Sequence, residues 1–462
     1  MSGRPCCAHR FPPPGVDSIP PGGFSESFPS ASSLDILPNH DDIILGYSVL
    51  DRASYDDVCK EAYMTQLRSE STASVEFQVK WNSEHAAHEE NFYVDRVHFW
   101  RDILPDKLKK ALLENPPGEW ASAELRPGEG VEALSSAQLK ELKPAQVNEK
   151  ALGRPVHGGR FYPRGILKDV GGVFPQNRAP FRIKSIDESK LTADFNHPLA
   201  GKDLSLKARI AGGISDKEER GGSCLAVEDI LGVGPGMQVR ANGCATDFFY
   251  PGAFDREDEA ADAVFYDQPR MVNHIDSQAM EVVSNLYGRI LKDGMDVLDL
   301  MASWNSHIPA DLNLKSVHGL GMNQEELESN RRLNGFTVQD LNENPKLPFD
   351  DNSFDAIICT VSVEYLTKPV EVFKEAARVL RPGGVFALTF SNRWFPPKAI
   401  DVWKEAHDFE RMGLVLEYFL QSGAFKDLQT YSMQGLPRPD DDKYADQLYC
   451  SDPVYGVWGH KA

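Results

Sequence analysis

From residue 263 to the end of the chain, strand-like apolar runs alternate with helix-like amphipathic runs, and no other feature restricts the fold as tightly. Helix "HIDSQAMEVVSNLYGRILK" leads into strand "MDVLDL", then "SVHGLGM", helix "NQEELESNRRL" and strand "FTVQD". Strand "FDAIICTVSV", helix "PVEVFKEAARVL", turn "RPGG", strand "VFALTFSN" and helix "AIDVWKEAHDFERMGLVLEYFLQSG" follow, closed by "DLQTYSM" and "VYGVWGHK". Alternation on this scale predicts a doubly wound α/β, Rossmann-like sheet with helices on both faces. Ligands of such sheets bind outside the carboxyl ends of the strands, where the strand order reverses. Three strand tips are thereby singled out: Asp299 with residues 301–307, then Gly321 to Asn323, then Asp340. Acids at two tips suit a ligand with amino or hydroxyl donors and would repel a bare pyrophosphate.

The first tip lacks the expected glycines and reads Met301, Ala302, Ser303, Trp304, Asn305. Glycine serves such a turn by allowing positive φ and by letting backbone approach ligand. Ala302 and Ser303 keep the turn small, and Asn305 is expected to take the left-handed position. Trp304 must point away from a ligand or close over it. Two readings follow: a ligand turn in variant form, or a fold retained without its ligand.

With 462 residues, two or three domains are expected. A net charge of -20 argues against nucleic acid as a partner, because phosphate binding needs clustered Lys and Arg. No apolar run reaches membrane-spanning length, so no membrane partner is expected. Seven scattered cysteines without paired CxxC spacing read as free thiols of a reducing, cytoplasmic setting. Acylation of Cys6 and Cys7 is the alternative for that pair. Residues 1–38 are rich in Pro, Ser and Gly and read as a disordered tail, or as a plastid or other organelle transit segment. Residues 39–71 form an extension, 72–213 a first folded unit and 214–262 a connector before the 263–462 domain. Strands "ASVEFQVKW", "GRFYPRGIL", "APFRIKSID", "KLTADF" and "DLSLKARIAG" with helix "LPDKLKKALLENPPGEW" make the first unit α+β. In the connector, "GVGPGMQ" (232–238) has glycine spacing but no helix after it, and reads as a loop.

Several stretches together resemble a known family. "VLDL" (297–300), "QDLNENPKLPFDDNSFDAIICTVSVEYL" (339–366) and "EAARVLRPGGVFALTFSN" (375–392) are similar to class I, type 11 S-adenosylmethionine-dependent methyltransferases. "ASWNSH" and "FYDQPRMVNHID" (265–276) match a divergent set that carries "SSWVSH" in place of the glycine turn. The resemblance implies S-adenosyl-L-methionine as cofactor and a small-molecule or protein methyl acceptor. It implies that Asp299, Ala302, Ser303 and Asn305 contact the methionine part, and Asp340 with Leu341 the adenine. The second tip departs from the family: it has no acid for the ribose, leaving Asn323 as a weaker acceptor. Tyr266, Arg270, His274 and Tyr365 are candidates for the acceptor side. His307, Glu364 and Asn392 are further candidates for a general base.

"ADFNHPLAGKDLSL" (193–206) resembles the signature of FKBP-type prolyl isomerases of the SlyD kind, and the residues before it their inserted flap. The resemblance covers about 75–213 and implies binding of unfolded or proline-containing polypeptide. Phe92, Tyr93, Phe99, Trp100 and Trp120 are the aromatic residues available to wall a pocket. The family's usual Asp-x-Ser after the first hairpin is absent. The expectation is therefore a methyltransferase fused to an FKBP-like module. The alternatives are a prolyl isomerase or chaperone, and a non-catalytic binding scaffold.

Overall fold

The structure is a computed structural model that describes residues 67–216, 221–232, 234–241 and 245–462. The expectations for the 1–38 tail, for Cys6, Cys7 and Cys59, and for most of the 39–71 extension lie outside these residues.

Fifteen strands are present among the described residues. The first eight are β1 (Thr72–Asn82), β2 (Ala86–His98), β3 (Ala121–Leu125), β4 (Leu139–Leu142), β5 (Phe161–Pro163), β6 (Pro180–Ile186), β7 (Leu191–Asp194) and β8 (Leu204–Ser215). The rest are β9 (Asp296–Leu300), β10 (Ser316–Gly321), β11 (Gly335–Val338), β12 (Phe354–Thr360), β13 (Leu380–Phe390), β14 (Phe425–Gln434) and β15 (Val454–Lys461). The principal helices are α1 (Asp106–Glu114), α2 (Ser277–Ile290), α3 (Gln324–Ser329), α4 (Pro369–Val379) and α5 (Asp408–Ser422).

Eleven strands form one sheet in the order β11-β10-β9-β12-β13-β15-β14-β2-β1-β8-β3, and β4-β7-β6-β5 form a second. The β9–β13 part is parallel, as its apolar strands predict. Helices α4 and α5 bury one face of this part around Phe373, Trp403 and Phe419. Helix α2 covers the other face with Ala279, Val283 and Leu286 against Val297, Ala356 and Val385. Strand order reverses at β9, whose neighbours are β10 and β12, so the ligand position lies at those tips.

The sheet does not stop at the expected connector. β14 pairs in parallel with β2, from Leu428↔Ala86 to Gln434↔Phe92. This seam is polar. Arg289 grips Glu89 with two bonds of 2.9 and 3.0 Å, and His88 meets Thr430 at 2.7 Å. Arg160 and Glu410, both almost fully buried, pair at 2.9 Å, and Arg240 holds Glu417 with two bonds of 2.6 Å. A buried pair is costly to break because the remaining charge is left without a counter-ion. These contacts therefore make the first unit a fixed extension of the second sheet half.

Sequence and structure differ at several places. "NQEELESNRRL" is helical only to Ser329, because Asn330 turns its side chain to the Ser303 carbonyl (2.8 Å) and Ser306 Oγ (2.9 Å). The long helix expected over 399–423 breaks before α5, where the His407 ring accepts the Phe409 N–H and Glu410 returns to the His407 N–H. The "GVGPGMQ" loop is a packing element: a Cβ on Gly236 would stand 2.6 Å from Pro198, and one on Gly234 2.3 Å from Phe409. Phe92 and Phe99, expected in a pocket wall, are core residues, and Trp120 is exposed beneath the Arg209 guanidinium.

Candidate functional site

At the carboxyl ends of β9, β10, β11 and β12 lies one cavity, and every residue expected from the sequence to bind cofactor or acceptor lines it. These are Asp299, Ala302, Ser303, Asn305, Asn323, Asp340 and Leu341, together with Tyr266, Arg270, His274 and Tyr365. Of the further base candidates His307 lines it too, while Glu364 is buried close to Tyr365.

The missing glycines are replaced in two ways. Met301, at the tip of β9, itself takes φ 59°, the left-handed conformation in which glycine is usual. His307 does the same at φ 53°. Asn305 does not take this role; its Oδ1 instead accepts the His307 N–H at 3.0 Å and fixes the turn. The second substitute is Gly321 at the neighbouring tip, where a Cβ would stand 2.1 Å from the Ala302 carbonyl oxygen. The close backbone approach is thus made possible from β10. Val361, β-branched and at φ 43°, adds a third strained position at the β12 tip.

Trp304 lines the cavity and is tied to its rim. Its indole N–H donates to the Val272 carbonyl at 3.1 Å, on the strap formed by residues 262–276. Two buried aspartates hold the ends of this strap. Asp262 receives Arg256 Nη1 at 2.8 and 2.9 Å, the buried Lys398 ammonium at 3.2 Å and Asn342 Nδ2 at 2.9 Å. Asp276 caps α2 through the Ala279 N–H at 2.9 Å and receives Ser451 Oγ and the Asp452 N–H at 2.8 and 2.6 Å.

Asn323, expected to accept a ribose hydroxyl, has its amide committed elsewhere. Its Nδ2 donates to the Tyr266 and Asp267 carbonyls at 2.9 and 3.0 Å, and its Oδ1 accepts the Glu326 N–H at 3.0 Å. The acid missing from the second tip stands one helical turn later. Glu326, which sequence reasoning missed, lines the cavity and accepts Ser303 Oγ (2.6 Å) and the Arg270 N–H (2.7 Å). Asn323-x-x-Glu326 has capping-box spacing, a signal that turns an N3 carboxylate back toward the helix start. Asp340 uses Oδ1 to accept the Asn342 and Glu343 N–H groups at 2.8 and 3.2 Å.

Two cavity groups are left with unused hydrogen-bonding capacity. Arg270 lies over Phe265, Phe395 and Tyr266 at 4.5, 5.3 and 5.7 Å, donates Nη2 to the Phe265 carbonyl, and has a buried Nη1 without a partner. Asp299 Oδ2 is buried and likewise unpartnered, and burial pushes this carboxyl up to about 7. Burial holds the His307 imidazole down at about 4 and lowers that of His274, so both rings are neutral at neutral pH. Burial raises Glu364 to about 8. An orphaned carboxyl oxygen and an orphaned guanidinium nitrogen fit a ligand with hydroxyl or amino groups and a carboxylate.

Known proteins agree with this geometry. A family profile described as "Methyltransferase domain" matches residues 303–388, which supply most of the cavity lining. The chain is 33% identical over 109 residues to cycloartenol-C-24-methyltransferase 1 of Oryza sativa subsp. japonica, a match spanning 21% of this chain and 31% of that protein. It is 31% identical over 100 residues to the ubiquinone/menaquinone biosynthesis C-methyltransferase of Roseobacter denitrificans, spanning 21% and 38%. The matches thus cover well under half the length of either relative. Among solved structures, a SAM dependent methyltransferase from Aquifex aeolicus is 19% identical, covering 44% of this chain and 97% of that one at a TM-score of 0.28. Residues 303–388 thus match a methyltransferase domain, and the strands they supply belong to the Rossmann-like parallel sheet, a combination that supports S-adenosylmethionine as cofactor.

The buried acids and histidines set the pH dependence of stability. Lowering the pH from about 8 to 6.5 protonates Asp299, Glu364 and the fully buried Glu90 (held at about 7) only in the folded chain, so stability rises. Below about 6.5 the unfolded chain binds protons at histidines that the fold keeps neutral, such as His88 (about 3), His197 (about 4) and His307 (about 4), which opposes the carboxyl gain and then reverses it. Thermal melts from about pH 8.5 to 5 are expected to peak between about pH 6.5 and 5.5, with a flatter alkaline limb in Asp299→Asn. A Tm that climbs steadily to the alkaline end contradicts these assignments.

Proposed function

We propose that the protein transfers a methyl group from S-adenosylmethionine to an uncharged acceptor with an apolar body. One observation carries the reading: within the methyltransferase-matched stretch, Asp340 and Glu326 face one cavity from neighbouring strand ends. In this reading Glu326 takes the ribose hydroxyls and Asp340 with Leu341 the adenine edge. Ala302 and Ser303 bring backbone to the methionine part, and the open Nη1 of Arg270 meets its carboxylate. The bound cofactor supplies an electrophilic sulfonium methyl. The chain's own work is positioning and exclusion of water by the strap and Trp304, since in-line approach dominates such a transfer. A neutral His274 or His307 ring nitrogen is placed to accept a proton where the acceptor loses one. Burial makes both weak bases, which favours a carbon or an already acidic acceptor.

The apolar body is supported by the strap itself. Val264 (74% exposed), Met271 (40%) and Val272 (57%) present apolar side chains to solvent around a cavity that Val272 also lines. Both relatives named above are C-methyltransferases by name, one of cycloartenol and one of ubiquinone/menaquinone biosynthesis.

Calorimetry with S-adenosylhomocysteine is expected to show one site. Asp340→Ala and Glu326→Gln should each weaken it about tenfold or more, as the loss of a charge-assisted bond implies. A folded wild-type chain that takes up no ligand overturns the reading.

The second reading assigns peptide binding to the FKBP-like unit, 72–213. It is supported by the order of elements, a β1–β2 hairpin, α1, β3, an inserted small sheet and β8, with Leu108 and Leu112 of α1 packed on the strands. A protease-coupled proline isomerisation assay on the full chain separates catalysis from binding. Isomerisation above the uncatalysed rate supports the isomerase form, and its absence with no peptide retained sinks the reading.

A further inference from the structure

Away from the strand tips, a second cavity lies where distant stretches meet: the Ser83–His85 turn, the small sheet, the loop 196–202, residues 238–241 and helix α5. Its apolar wall is Phe161, Leu416 and Leu420. Its cations are poorly neutralised. Arg182, 9% exposed, donates Nε to the Gly159 carbonyl (2.7 Å) and Nη2 to the Val239 carbonyl (2.5 Å) and Thr246 Oγ1 (3.4 Å). All three acceptors are uncharged. Lys184 and Lys202 line the same space without an ion pair among the described residues.

The carboxylates at this cavity are occupied or outside it. Arg240 takes both oxygens of Glu417 at 2.6 Å. Asp194 Oδ1 accepts the Asn196 N–H and Nδ2 at 2.9 and 2.7 Å. Glu84 stands exposed at the rim. His85 Nε2 is buried there without a partner. Arg182 makes no ion pair among the described residues, and the charges of Glu410 and Asp194 only partly offset the burial that draws it down to about 10. On a chain of net charge -20, a concave site with three cations outside any ion pair stands apart from the surrounding field.

We propose that this cavity is a second ligand site, taking a small molecule with one oxyanion head, phosphate monoester or carboxylate, on a short apolar tail. The head sits among Arg182 Nη1, Lys184 and Lys202, where charge-assisted bonds are strongest. The tail lies on Phe161, Leu416 and Leu420. The site is independent of methyl transfer and shares no lining residue with the strand-tip cavity.

The test is calorimetry on the full chain with hexyl phosphate, hexanoate and inorganic phosphate as probes, in excess S-adenosylhomocysteine so that the first cavity is not titrated. At least one hexyl probe is expected to bind with Kd below about 1 mM, and inorganic phosphate more weakly because it leaves the apolar wall bare. Which hexyl probe binds better identifies the head. The double variant Lys184→Gln/Lys202→Gln, whose cations hold no ion pair that the fold needs, should weaken binding about tenfold or more. The proposal is overturned if neither hexyl probe binds wild type. Equal binding by the double variant at an unchanged Tm overturns it as well.

Discussion

The rest of the site depends on one crowded contact, the Ala302 carbonyl oxygen occupying space that any side chain on residue 321 would need. The turn after β9 folds back over the tip of β10, and the Ala302 N–H donates to the Leu320 carbonyl at 2.8 Å. Gly321 passes the register on by accepting the Gln339 N–H at 3.0 Å, which brings Asp340 alongside. With the turn so placed, Ser303 reaches Glu326, and Glu326 in turn holds the Arg270 backbone. A glycine-poor turn thus works because the conformational freedom is divided: Met301 and His307 supply positive φ, and Gly321 supplies the space.

The cover over this floor is tied down as firmly as the floor. Asp262 and Asp276 fix the strap at its two ends, and Trp304 and Asn323 bind it between them. Farther along the sheet, β2 pairs with β14 and occupies the edge at which the strands β9–β15 would otherwise end. The first unit and the connector are attached there by Arg–Glu pairs directed at α5, Arg160–Glu410 and Arg240–Glu417, and by Arg289 of α2 gripping Glu89 of β2.

Much of this was legible in the sequence because it rests on local periodicity. Buried runs such as "DVLDL" and "FDAIICT" declare parallel strands, and strand tips declare the ligand position. Asp299 and Asp340 face one cavity for that reason, while Arg270 and His274, expected there from the family resemblance, reach it from the strap. What was not legible depends on contacts across long sequence separations. The left-handed position fell to Met301 and not to Asn305, because the β10 contact decides the turn, not residue preference. Asn323, expected at the ligand, lines the cavity and also clamps the strap, since Tyr266, 57 residues earlier, presents its carbonyl there. The β2–β14 pairing joins residues more than three hundred positions apart, and hydrophobic pattern within either strand carries no trace of it.

The central claim is that the cavity at the β9, β10 and β11 tips is where S-adenosylmethionine binds. Ultraviolet cross-linking of methyl-tritiated S-adenosylmethionine to the full chain, followed by peptide mapping, tests it most directly. Label on peptides carrying residues 301–307, 339–342 or the 262–276 strap, displaced by unlabelled S-adenosylhomocysteine, is the result this account predicts. Label confined to residues 72–215, or label that the competitor leaves in place, contradicts it.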